Sequence, residues 1–147
     1  MPTSAHARLI IEHLKNRGET IAIAESLTAG GVGHAITQIP GASSVFLGGV
    51  IAYTSEVKVK FLGVSQKTID SHTVVSEEVA NEMAAGVLEK FNATWAIATT
   101  GIAGPGDTWG FAKAPYGSPS RAPSLRHCIF NSIAGVKGCE LGLYPAQ

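Results

Sequence analysis

The residues best suited to chemistry fall at two strand-like ends and one helix start. "AIAESLTAGG", residues 22–31, runs from small apolar residues into Glu25, Ser26 and Thr28, then Gly30 and Gly31. Ser26 carries a hydroxyl that can attack a carbonyl once a base takes its proton. It lacks the G-x-S-x-G setting of a nucleophile elbow, so an N-cap role stands beside the nucleophilic one. The five histidines, His6, His13, His34, His72 and His127, are scattered, and none shares a motif with an acid. That argues against a Ser–His–Asp arrangement. Lysine is the other candidate base. "YTSEVK" puts Tyr53 at a strand end and Lys58 in the first turn of the next helix, where both could face the same crevice as Ser26. Lys58 works as a base only if desolvation or a nearby positive centre lowers its pKa; otherwise it is a solvated helix residue, as Lys60 and Lys67 are expected to be.

Glu25 has three readings: orienting a donor, holding a ribose, or capping the helix that follows. Gly30 and Gly31, like the glycines of a second strand-end loop at 100–106 ("TGIAGPG"), let backbone N–H groups approach a phosphate. They equally well permit tight turns. Neither loop is a GxGxxG or GxxxxGK[ST] fingerprint. No cluster of His, Cys and acids has ligand spacing, and Cys128 and Cys139 fit neither a zinc pattern nor a disulfide scaffold. No metal and no cofactor is expected.

The elements that must position these residues alternate between strand and helix. "TSAHARLIIEHLKNRGET" has Ala7, Ile10, Ile11 and Leu14 at helical spacing, a cap at Thr3 or Ser4 and a stop at Gly18. "TIAIA" reads as a short buried strand, and a second helix is expected from about Thr28 to Pro40. "VFLGGVIAYT" reads as a strand or strand pair, "SEVKVKFLGV" as a capped helix from Ser55, and "SQKTIDSHTV" as a shorter helix or turn. "SEEVANEMAAGVLEKFN" is a longer helix with Ser76 as N-cap and acids in its first turn. "TWAIATTGIAGPG" is a strand breaking into a glycine-rich loop. This alternation predicts an α/β layered fold with helices on both faces of a sheet, and open sheets of that kind bind ligands at the carboxyl ends of their strands. From about Thr108 the pattern lapses: prolines at 115, 119 and 123 interrupt it, and only "HCIF" suggests a very short strand.

A chain of 147 residues is read as one domain with a real core. Charged residues are 15% of it and the formal net charge is zero, which argues against electrostatic binding to nucleic acid or acidic membranes. No run approaches the roughly 18 apolar residues of a membrane span. No basic-then-apolar start marks a secretion signal, so the expected location is cytoplasmic.

"ESLTAGG", "IPGASSVFLGGVIAYTSEVKVKFLGV", "HTVVSEEVANEMAAGV" and "TTGIAGPG", in that order, closely resemble the CinA C-terminal-domain family, whose active members are nicotinamide-mononucleotide deamidases (PncC-type amidohydrolases). The resemblance spans roughly residues 5–107 and implies a three-layer α/β/α sandwich. It also implies hydrolysis of the nicotinamide carboxamide to nicotinic acid mononucleotide and ammonia, without a metal. By the same resemblance Ser26 is the nucleophile, Lys58 its base and Tyr53 a relay between them. Glu25, Thr28, Gly30 and Gly31 then line the substrate, with backbone N–H groups on the oxyanion or phosphate, while Thr100 and Gly101 position the nucleotide. The expected partner is a small-molecule nucleotide, and an open sheet edge favours a homo-oligomer. Family members usually add two strands and a closing helix after "GIAGPG". Residues 1–107 are therefore read as the family's α/β domain and 108–147 as a divergent tail, with the N-terminal molybdopterin-binding-like domain of some relatives missing. An inactive or weakly active relative that binds nucleotide or assists a partner protein is the alternative function.

Overall fold

In the computed structural model, residues 5–102 and 128–135 are described. The chain begins with α1 (Ala5–Arg17), then β1 (Ile21–Glu25), α2 (Gly31–Thr37), a short 3-10 turn at Ala42–Ser44 and β2 (Phe46–Ile51). Three helices follow, α3 (Ser55–Leu62), α4 (Gln66–His72) and α5 (Glu77–Phe91), before β3 (Trp95–Ile102) and β4 (Cys128–Gly135). The strands form one sheet in the order β2-β1-β3-β4. β1 is parallel to both neighbours, and β4 runs antiparallel to β3.

Alternation along the two central strands sorts the helices into layers. Ile21 and Ile23 of β1, with Trp95 and Ile97 of β3, point to one face. There they meet Ala7, Ile11 and Leu14 of α1 and Ile36 of α2. Ala22, Ala24, Ala96 and Ala98 make the opposite face, where Val79, Met83, Ala84 and Val87 of α5 and Leu62 of α3 cover them. Side chains of period two cannot avoid this division. The alanine face brings the helices of its layer close: a Cβ on Gly86 of α5 would fall on the Leu62 carbonyl oxygen. The result is the three-layer α/β/α sandwich, with a parallel core sheet.

Several boundaries differ from the sequence reading. α2 starts at Gly31 rather than near Thr28, because residues 26–30 form a turn in which Ala29 (φ 47°) and Gly30 (φ 98°) are left-handed. α3 does begin at Ser55 as expected, and its cap is Thr54, whose Oγ1 accepts from the Val57 amide. Ser76 caps α5 as its position suggests, accepting from the Val79 amide at 3.3 Å. β2 is a single strand despite Gly48 and Gly49. β3 runs on to Ile102, so Thr100 and Gly101 belong to a strand and not to a loop. β4 is eight residues long, not a short "HCIF": its pairing with β3 extends from Ile102↔Cys128 to Trp95↔Gly135.

The chain leaves β1 toward β2 through α2 on one face. It returns past β1 to β3 through α3, α4 and α5 on the other. β1 and β3 therefore flank the point where strand order reverses, the place where open α/β sheets bind their ligands. Among the described residues no helix is long and apolar enough to cross a membrane.

Candidate active site

Glu25 ends β1 fully buried, and its carboxyl group is not directed at a ligand. Its oxygens accept from the amides of Gly30 (2.9 Å), Val32 (3.1 Å) and Gly33 (2.8 Å). Gly30 precedes α2 without a side-chain cap, so an acid from the preceding strand satisfies donors that the first turn of a helix leaves open. The Gly31 amide is bonded to the Thr28 carbonyl at 2.8 Å and the Ala29 amide to that of Ser26 at 3.1 Å. Of the three readings open to Glu25, the hydrogen bonds are those of the helix cap, and the amides of Gly30 and Gly31 both have acceptors inside the protein.

Ser26 follows on the opposite face from Glu25, 5% exposed. Its amide continues the sheet by donating to the Thr99 carbonyl at 3.0 Å. Its Oγ accepts from Lys58 Nζ at 2.9 Å. Lys58 reaches it from the first turn of α3 and is only 1% exposed, a rare state for lysine. The same nitrogen donates to the carbonyls of Ala52 at 2.7 Å and Tyr53 at 3.3 Å. Three acceptors thus meet the three donors of an ammonium, which is how burial is tolerated. Among the described residues no carboxylate forms an ion pair with it. Desolvation alone then acts on the amine and lowers its pKa to about 8. The desolvation that a lysine base requires is present, and the hydroxyl it would deprotonate is in direct contact.

Tyr53 contributes its backbone carbonyl, while its side chain is 69% exposed. Lys58 and Ser26 touch directly, with no phenol between them. Thr28 turns its hydroxyl onto that of Thr99 at 2.7 Å. Thr100 is fully buried on the alanine face and donates to the Val74 carbonyl at 3.2 Å, tying down the segment between α4 and α5. In that segment Thr73 holds φ 69°, ψ 162°, a conformation costly for a residue with a Cβ. Gly101 pairs with Ile129 inside the β3–β4 ladder.

Residues that sequence reasoning passed over complete the arrangement. Thr99 carries both a carbonyl for Ser26 and a hydroxyl for Thr28, yet beside Thr100 it looks like one more strand threonine. The Ala52 and Val74 carbonyls have no signature at all, because a backbone acceptor is set by where the chain turns. No group of three or more metal-ligating side chains occurs among the described residues.

Together these features define a doubly wound α/β domain with a buried serine–lysine pair at its switch point. The CinA C-terminal domain model matches residues 3–117, and the chain belongs to that family. It is 40% identical over 134 residues to a CinA-like protein of Prochlorococcus marinus strain MIT 9313, covering 91% of this chain and 28% of that one. It is 52% identical over 106 residues to a CinA-like protein of Chloroherpeton thalassium, covering 72% and 24%. The chain therefore spans about a quarter of the length of these relatives. Among solved structures, the competence/damage-inducible protein CihA of Agrobacterium tumefaciens aligns with a TM-score of 0.66 at 41% identity, over 68% of this chain and 61% of that one. A CinA superfamily protein of Klebsiella pneumoniae 700603 aligns at 0.68 and 26% identity, over 94% and 85%.

Proposed function

We propose that the chain is an amidohydrolase that converts nicotinamide mononucleotide to nicotinic acid mononucleotide and ammonia. The contact between Lys58 Nζ and Ser26 Oγ at 2.9 Å, between two buried residues and with no ion-paired carboxylate among the described residues, carries the reaction type. The choice of substrate rests on the resemblance of the quoted motifs to the deamidases of the family.

Neutral Lys58 takes the Ser26 proton as Oγ bonds to the carboxamide carbon, and the carbonyl π pair moves onto oxygen. The resulting tetrahedral species collapses: the C–N bond breaks, and Lys58 returns its proton to the departing nitrogen, which leaves as ammonia. Water then repeats the sequence on the acyl-serine, with Lys58 taking its proton and passing one back to Ser26 Oγ. The free acid departs and the pair is restored.

The test is to incubate the purified chain with nicotinamide mononucleotide and follow ammonia and nicotinic acid mononucleotide together. Both form in equal amounts with the parent chain, and neither forms with Ser26→Ala. Parent protein that is folded but releases no ammonia overturns the reading.

A further inference from the structure

The turn after Ser26 divides its backbone amides into two sets. Those of Ala29, Gly30, Gly31, Val32 and Gly33 all have acceptors inside the protein. Those of Leu27 and Thr28 have none among the described residues, and both residues are half-buried. Amides of half-buried residues usually find a partner, and these two, without one among the described residues, come directly after the nucleophile. An attacked carbonyl carbon bonded to Ser26 Oγ carries its oxygen within a few ångströms of this stretch. Negative charge develops on that oxygen, and preorganised donors are what stabilise it.

What holds this short stretch still is the end of β3. Thr99 grips it at both ends: its carbonyl accepts the Ser26 amide at 3.0 Å, and its hydroxyl meets the Thr28 hydroxyl at 2.7 Å. Thr99 is buried and touches neither Lys58 nor Ser26 Oγ by hydrogen bond. We propose that Thr99 is a positioning residue, whose hydroxyl latch to Thr28 holds the Leu27 and Thr28 amides as the oxyanion-binding pair. This deepens the amidase reading and rests on it. Glu25 serves the same division of labour by occupying amides of the next turn, which leaves Leu27 and Thr28 as the donors of this turn without an acceptor among the described residues.

The latch is tested by Thr99→Val, which keeps shape and carbonyl but removes the hydroxyl, with Thr99→Ser as the conservative rescue and Thr28→Val as the cut from the other side. Two readouts are taken: kcat and KM for ammonia release, and the rate at which a small alkyl fluorophosphonate modifies Ser26, followed by mass. In that second reaction Oγ bonds to phosphorus, fluoride leaves and Lys58 takes the proton, so it reports on the site whatever the natural substrate is. Thr99→Val and Thr28→Val lower kcat and the labelling rate by roughly tenfold to a hundredfold, while KM and the pH midpoint set by Lys58 stay in place. Thr99→Ser recovers to within about threefold of the parent, the range of a conservative change. Folded Thr99→Val or Thr28→Val protein that labels and turns over like the parent overturns the latch, as does a Thr99→Ser variant as slow as Thr99→Val. A parent chain whose Ser26 is not labelled instead overturns the nucleophile assignment, and the latch with it. Parent labelling without ammonia release overturns only the choice of substrate, and the labelling rates then decide the latch.

Discussion

Replacing Lys58 by methionine removes a buried amine while keeping most of its volume, and the consequence is a change in how stability depends on pH. The amine titrates at about 8 in the fold, lowered by desolvation from an ordinary 10.5. Below pH 8 both folded and unfolded chains hold the proton, and the full cost of burying the ammonium is felt. Between about 8 and 10.5 the fold has released a proton that the unfolded chain retains, so stability rises with pH. Above 10.5 the gain is complete. At 1.36 kcal/mol per unit, the span is worth about 3 kcal/mol, and roughly 2.5 kcal/mol of it is realised between pH 7 and pH 10. The measurement is denaturant unfolding of the parent and Lys58→Met at pH 7, 8, 9 and 10, taking the difference between them at each pH. Every other titrating group is common to both proteins and cancels. The parent is expected to gain on the variant by about 2.5 kcal/mol across that range, with the rise beginning near pH 8. A difference that stays constant to within about 0.5 kcal/mol, the usual error of additivity, refutes the desolvated-lysine reasoning.

Glu25→Gln replaces two acceptor oxygens with one oxygen and an NH₂ group. At least one of the amides of Gly30, Val32 and Gly33 then faces a donor, and denaturant unfolding should show a loss of about 2–3 kcal/mol, the cost of an unsatisfied buried group. Gly86→Ala drives a methyl into the Leu62 carbonyl, and thermal unfolding should fall by several degrees for the ~1–3 kcal/mol that overpacking costs. Ser26→Ala should unfold at nearly the parent's midpoint, because Lys58 keeps the Ala52 and Tyr53 carbonyls; a large destabilisation would mean that the serine is structural.

The layers were readable because "TIAIA" and "WAIATT" alternate isoleucine or tryptophan with alanine, and that alternation decides which helix each face accepts. The Ser76 cap was readable for the same reason: it is local. Lys58 was readable as a candidate only, since its burial depends on two carbonyls presented where the chain turns after β2. Glu25 kept three readings in the sequence because a capping acid normally sits at the helix itself, whereas this one reaches forward from the strand before it. Thr100 drew attention through the motif it belongs to, while Thr99, one residue earlier and on the other face of β3, makes the contacts to the Ser26 turn. β4 went largely unseen because Asn131 and Ser132 interrupt its apolar pattern, and only its register with β3 makes it a strand.

The central claim is that the buried Lys58 amine, in its deprotonated form, takes the proton of Ser26. It is tested most directly by the pH dependence of kcat/KM for ammonia release from nicotinamide mononucleotide, in the parent and in Lys58→Met. The parent should gain nearly tenfold per pH unit below the titration, bend at about pH 8 and level off above it, because the active form is the deprotonated amine. Lys58→Met should lose that limb along with almost all activity. A parent profile flat from pH 6.5 to 9.5, or a Lys58→Met variant within a few-fold of the parent, would contradict it.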